Sequence, residues 1–132
     1  MNSKKKPIII ANSSAFYGDR LSAAQEMIQG GPIDVLTGDY LAELTMAILF
    51  RDRLKDSDSG FARTFLKQME EVMGECLDKG IKVVSNAGGL NPRALAVRLE
   101  AMADSLGLDP KIAYIEGDDI LDRLEDLQQQ GE

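Results

Sequence analysis

The sequence predicts an α/β fold, a Rossmann-like three-layer sandwich around a mostly parallel sheet of about four strands. Two observations carry this expectation. Four short runs are dominated by β-branched residues, as in strands covered on both faces. Helical periodicity fills the intervals between them, giving the order βα, βαα, βα, βα. Strands alternating with helices pair in parallel through right-handed crossovers.

The expected strands are Pro7-Ile8-Ile9-Ile10-Ala11, Ile33-Asp34-Val35-Leu36, Ile81-Lys82-Val83-Val84 and Lys111-Ile112-Ala113-Tyr114-Ile115. Leu21, Ala24 and Ile28 mark a first helix, closed by Gly30-Gly31. Leu41, Leu44, Ile48 and Phe50 mark a second. Its centre, Met46-Ala47-Ile48-Leu49-Phe50, is apolar on every face, which predicts full burial or an interface. Phe61, Phe65, Met69, Val72 and Cys76 stripe a third helix ending at Lys79-Gly80. Leu95, Leu99, Met102 and Leu106 stripe a fourth, stopped by Gly107 and Pro110. Residues 119–130 form a last, acidic helix through Ile120, Leu124 and Leu127. Asp56-Ser57-Asp58-Ser59-Gly60 resembles a calcium loop, but position twelve is Lys67 rather than a bidentate carboxylate, so a solvated inter-helix loop is expected.

The chain has 132 residues, enough for one core, and a single domain over residues 1–132 is the expectation. Fifteen basic against 22 acidic residues give a net charge of −7, which argues against a nucleic-acid partner. Seven acids lie between Glu116 and Glu132, against Arg123 alone. The run Lys4-Lys5-Lys6 is expected to solvate the N-terminus, with no membrane role. The single cysteine, Cys76, excludes an internal disulfide, and the absence of histidine removes histidine-based triads and zinc sites. No signal-peptide pattern or spanning run is visible, so a cytoplasmic location is expected.

Candidate chemistry sits in the turns after the strands, where open α/β sheets bind ligands. The first turn is Asn12-Ser13-Ser14, continuing to Tyr17-Gly18-Asp19-Arg20. The second is Thr37-Gly38-Asp39-Tyr40, the third runs from Ser85 to Arg93, and the fourth is Glu116-Gly117-Asp118-Asp119. In the third, Gly88 and Gly89 permit close backbone approach, Asn91 suits an N-cap and Pro92 the first helical position. Such a loop is either an anion cradle at a helix start or simply a tight turn. The ligand-binding candidates are Asn12, Ser13, Thr37, Gly38, Asp39, Asn86, Gly88, Gly89, Asn91, Arg93, Glu116, Gly117 and Asp118, with Arg20 a further cation. Each also has a local explanation, since Ser14, Asp19 and Asp39 can cap helices and Asp118 or Asp119 can offset a dipole. Asp39 and Glu43 are candidate proton-transfer groups, with Asn86 and backbone N–H groups holding an oxyanion. Glu43 is a raised-pKa base if buried and a first-turn acid if exposed. Asp39, Glu43, Asp118 and Asp119 would serve Mg²⁺ if their strands were neighbours, but no metal site and no cofactor is assigned.

Three strings in this chain resemble the N-terminal part of the acyclic terpene utilisation (AtuA-type) family. They are the run from Ile33 to Met46, Asp58-Ser59-Gly60-Phe61-Ala62, and the run from Gly80 to Pro92. The segment Tyr114-Ile115-Glu116-Gly117-Asp118-Asp119 continues the likeness, which covers most of residues 7–125. The resemblance implies a place in bacterial breakdown of acyclic terpenes such as citronellol and geraniol, through coenzyme A thioesters. It implies a pathway rather than a reaction and carries over no catalytic residues. Family members are longer, so the resemblance implies the N-terminal portion of a larger architecture.

The leading expectation is therefore a domain of acyclic terpene or related branched acyl catabolism. It would bind an anionic small molecule such as an acyl-CoA at the C-terminal ends of the strands. The alternative is a non-catalytic interaction module or truncated subunit supporting a partner, with self-association or a missing second domain covering Met46 to Phe50. A nucleotide-binding domain is disfavoured, because Asn12-Ser13-Ser14 replaces the expected Gly-x-Gly-x-x-Gly turn.

Overall fold

A computed structural model describes residues 6–131. Lys4, Lys5 and the terminal Glu132 lie outside them. Three parallel strands form the sheet, β1 (Ile10–Asn12), β2 (Val35–Gly38) and β3 (Lys82–Ser85), in spatial order β1-β2-β3. Five α-helices accompany them: α1 (Ala23–Gln29), α2 (Glu43–Lys55), α3 (Arg63–Lys79), α4 (Pro92–Leu106) and α5 (Leu124–Gln130). A 3₁₀ turn, Leu121–Arg123, leads into α5. The fold is thus mixed α/β, with the parallel pairing that the alternation predicts. No helix among the described residues is long and apolar enough to cross a membrane.

The register sorts the strand residues onto two sides. Ala11, Leu36 and Val83 lie opposite one another, as do Ile10, Val35 and Lys82, and Asn12, Thr37 and Val84. Paired residues in a parallel ladder share a side. On the first side, Leu36 and Val83 join Ala24 and Ile28 of α1, and Phe65, Met69, Val72, Met73 and Cys76 of α3. Helix α4 packs on α3 and contributes Leu95 and Ala103 to the same cluster. Asn91 caps α4 by accepting a hydrogen bond from the Ala94 N–H (3.1 Å), and Pro92 fills its first turn.

The three-layer sandwich and its fourth strand are corrected. Lys111–Ile115 makes no strand, and Ile115 is 92% exposed. Strand propensity is expressed only when a side chain finds a pleated surface to pack on, and here four of these five residues remain exposed. Among the described residues no second helical layer covers the side of Ile10, Lys82 and Val84, for a topological reason. Spatial order follows chain order, and successive right-handed crossovers in one direction put every connecting helix on the same side. Only a reversal of strand order would cover the other side.

At α2 the full-burial alternative is corrected, and the loop after Asp56 also differs from expectation. The centre of α2 is buried on one side alone: Leu49 is fully buried, while Ala47, Ile48 and Phe50 retain exposure. The segment after Asp56 is less solvated than its composition suggests. Ser59, Gly60, Phe61 and Ala62 are buried beneath the turn that follows β3.

Candidate functional site

The C-terminal ends of the strands do converge, and the candidate residues there fall into two groups. The first is a hydrogen-bonded weave across the strand tips. The Ser13 N–H and hydroxyl both donate to the Thr37 carbonyl (2.8 and 3.1 Å). The Thr37 hydroxyl donates to Asn12 Oδ1 (3.2 Å), and the Asn12 amide donates to the Ser14 carbonyl (2.9 Å). Asn86 joins the second and third turns: its Oδ1 accepts from the Tyr40 N–H (2.8 Å) and its amide donates to Asp39 Oδ1 (2.7 Å). That bond from Asn86, with the Leu41 N–H, holds the Asp39 carboxyl below its ordinary pKa. A carboxylate so stabilised is a weak base at neutral pH. Glu43 is exposed at the start of α2, which favours the first-turn acid over the buried base. Asn86 therefore works as a bridge between turns, with both ends of its amide engaged.

Beneath this weave sits Tyr40, absent from the sequence-based candidates. It is buried edge-on to Phe65, and its hydroxyl donates to the buried Gln68 Oε1. Burial pushes the Tyr40 phenol pKa up. Its ring explains Gly38, where an added Cβ would lie 2.6 Å from Tyr40 Cε2.

The second group surrounds the turn after β3. Gly89 has φ +52°, and an added Cβ would lie 2.4 Å from Leu49 Cδ1 and 3.0 Å from the Gly60 carbonyl oxygen. At Gly88 the added Cβ would meet Pro92 at 2.7 Å. These glycines admit the protein's own α2 and α4, so the tight-turn alternative accounts for them. The turn's N–H groups are largely spoken for: Gly89 donates to Asn86, Leu90 to Gly60 and Asn91 to Gly88. The Ala62 N–H donates to the Ala87 carbonyl, and the Asn91 amide donates to the Ser57 and Ser59 carbonyls (2.9 and 3.0 Å). The lookalike calcium loop is thus a buttress under the turn, with Asp56 accepting from the Asp58 N–H and the Ser59 hydroxyl.

Beside this turn lies an open groove of about 580 Å³. Glu116, Gly117, Asp118 and Asp119 line one part, Gly89, Leu90 and Pro92 another, and Met46, Ile120, Leu121 and Leu124 supply apolar surface. Its cation is Arg53 of α2, which donates to the Leu90 carbonyl (2.9 Å) and to Asp119 Oδ2 (2.6 Å). That guanidinium holds the Asp119 pKa below the usual value. Neither Arg20 nor Arg93 lines the groove; Arg20 pairs with Glu26 on the surface, and Arg93 is exposed. Sequence reasoning missed Arg53 because it lies at the far end of α2, away from every strand turn. The signal available was an Arg within a helix whose start follows Asp39, long enough to fold back over the neighbouring turn.

Among the described residues no three acidic or cysteine side chains gather as a metal site would require. The Cys76 thiol is buried, and its pKa is pushed up to about 11, as expected of a core residue rather than a nucleophile.

No curated protein and no solved structure matches the chain. One family does: "Acyclic terpene utilisation family protein AtuA" matches residues 8–132. The match takes in the whole strand-tip weave, the turn after β3 and the groove, and this chain belongs to the acyclic terpene utilisation family AtuA.

Proposed function

We propose that this domain serves acyclic terpene utilisation by binding an anionic branched acyl compound, such as a geranyl-type acid or its coenzyme A thioester, in the groove beside Arg53. One observation carries the reading: a groove of about 580 Å³ joins apolar side chains to a half-buried guanidinium. That volume lies in the range of small-molecule sites. It suits a ten-carbon branched chain against Met46, Leu90, Pro92 and Leu124. The anionic end would meet Arg53, and the nucleotide part of a thioester would remain outside.

The anion contact in this reading is a side chain, not the Gly88-Gly89 backbone. Glu116, Asp118 and Asp119 around the groove repel free anions and favour ligands whose apolar part contributes most of the affinity. The reading is one of binding. Asp39 and Asn86 support the groove through the turn they stabilise.

A ¹H–¹⁵N NMR titration with geranate and with geranyl-coenzyme A tests it. Saturable shifts at Gly89, Leu90 and Gly117, lost in Arg53→Met with the folded spectrum retained, are expected. A folded spectrum in which these amides ignore both compounds would overturn the proposal.

A further inference from the structure

Among the residues lining the groove, Arg53 is the only cation, and it is already engaged. Its Nη1 donates to the Leu90 carbonyl (2.9 Å) and to Asp119 Oδ2 (2.6 Å), so both hydrogens on that nitrogen have partners within the chain. Glu116, Asp118 and Asp119 stand around this single arginine. A second carboxylate brought to the same guanidinium would lie beside Asp119, and like charges so placed repel. An incoming anion therefore gains little while Asp119 stays where it is.

The same pair is a structural tie. Residues 109–131 include no buried residue. Among the described residues, Arg53–Asp119 is the only hydrogen bond or ion pair joining that stretch to the rest of the chain. Its other hydrogen bonds are local: Asp119 Oδ1 accepts from the Leu121 N–H, and Arg123 and Gly131 donate within their own turns. One contact thus occupies the cation and holds the wall that carries Ile120, Leu121 and Leu124. Those side chains line the groove yet are 50%, 48% and 43% exposed, so an apolar ligand would cover them.

We propose that Asp119 is an internal competitor for Arg53, a latch that an anionic apolar ligand replaces. The inference rests on the ligand-binding reading of the groove and adds the regulation of that site. In the empty groove Asp119 pins the C-terminal segment to α2. A bound carboxylate takes Arg53, and Asp119 turns to solvent. The segment is then held by Ile120, Leu121 and Leu124 against the ligand's chain, an ionic tie exchanged for an apolar one. The latch sets a threshold, because the apparent affinity is the intrinsic affinity reduced by the fraction of molecules unlatched. It also makes the order of the C-terminal segment depend on what fills the groove.

Asp119→Asn tests this, since it removes the charge and keeps an acceptor for the Leu121 N–H. Amide ¹H–¹⁵N titrations of the full chain with geranate, read at Leu90 and Gly117, give the affinities. Heteronuclear NOEs of residues 121–130 give the order of the segment on the ps–ns scale. The variant should bind geranate roughly two- to fivefold more tightly than the wild type, the range of a partly exposed ion pair. Without geranate its residues 121–130 should show lower NOEs than the wild type, and saturation should restore them. Equal affinities in the two proteins overturn the latch and leave the ligand-binding reading standing, because the anion and Asp119 then share the guanidinium. A segment equally ordered in both empty proteins overturns it too. Failure of both proteins to bind overturns the latch together with the reading on which it rests.

Discussion

Replacing Gly89 with alanine separates a packing role from a ligand-cradle role. Holding alanine at φ +52° costs about 1–2 kcal/mol. Its Cβ would lie 2.4 Å from Leu49 Cδ1 and 3.0 Å from the Gly60 carbonyl oxygen, so α2 or the buried segment must shift. Overpacking of this kind costs about 1–3 kcal/mol. The sum is about 2–5 kcal/mol, a fall in Tm on the order of 10 °C for a domain of this size. Urea denaturation followed by circular dichroism measures it directly. Leu49→Ala alone should cost about 2–5 kcal/mol through the cavity it leaves. In the double variant that cavity receives the alanine Cβ. The two costs should therefore fall short of additive by about 1–3 kcal/mol. If Gly89→Ala leaves stability unchanged while ligand shifts disappear, or if the cycle is additive within about 0.5 kcal/mol, the packing argument is refuted.

Asn86→Ala removes the acceptor of the Tyr40 N–H and should cost about 1–3 kcal/mol in urea denaturation, while an NMR titration should find the Asp39 pKa risen toward its ordinary value. Asp119→Asn should change stability by less than about 1 kcal/mol, because the pair with Arg53 is partly exposed, yet it should raise the affinity for geranate by freeing the guanidinium. The hydrogen-bonded aspartates Asp19, Asp39, Asp56 and Asp119 all have folded pKa values below the ordinary 3.8. The folded chain binds fewer protons than the unfolded chain as pH falls through that value. Their contribution is therefore present above about pH 4 and lost as pH drops through the folded values, which a series of urea midpoints from pH 5 to pH 2 should trace. Cys76 should resist a thiol reagent at pH 8 in the native state and react at the rate of global opening, as its burial and raised pKa require.

Much of the sheet side facing the helices is legible in the sequence, because each element there carries its own local signal. The stripe Phe65, Met69, Val72, Cys76 becomes the core face of α3, and Asn91-Pro92 with Gly107 bounds α4 to the residue. Lys111–Ile115 has comparable β propensity and forms no strand, since propensity does not say whether a neighbour is present to pair with. The missing layer was equally invisible: periodicity reports which residues seek cover, and only strand order decides which side the crossovers reach. At the site, the turns were found because chain reversals at strand ends announce themselves through glycine, asparagine and aspartate. What occupies the space beside each glycine is a long-range fact. Leu49, Tyr40 and Gly60 are distant in sequence or unremarkable in type, so the glycines read alike whether they face a ligand or the core.

The strings that carry the family resemblance meet in one place, and their mutual fit explains their composition. Thr37-Gly38-Asp39-Tyr40 needs a glycine for the Tyr40 ring and an amide partner for Asp39; Asn86 supplies that partner. The run from Asp58 to Ala62 needs a glycine at position 60, where φ is +106°; the Gly60 carbonyl receives the Leu90 N–H, while Asn91 pins the Ser57 and Ser59 carbonyls. Ser85 to Pro92 fits between the two only if its paired glycines yield to Leu49 and Pro92. None of these contacts spends a residue on an external molecule. The weave instead fixes the position of the Leu90 carbonyl, on which Arg53 rests. An arginine held by a rigid backbone acceptor and by Asp119 is already ordered, which lowers the ordering cost of pairing with an anion. In the proposed reading the chain's distinctive residues build the mount, and selectivity of the groove would fall to Arg53 and the apolar side chains of α2 and the C-terminal segment.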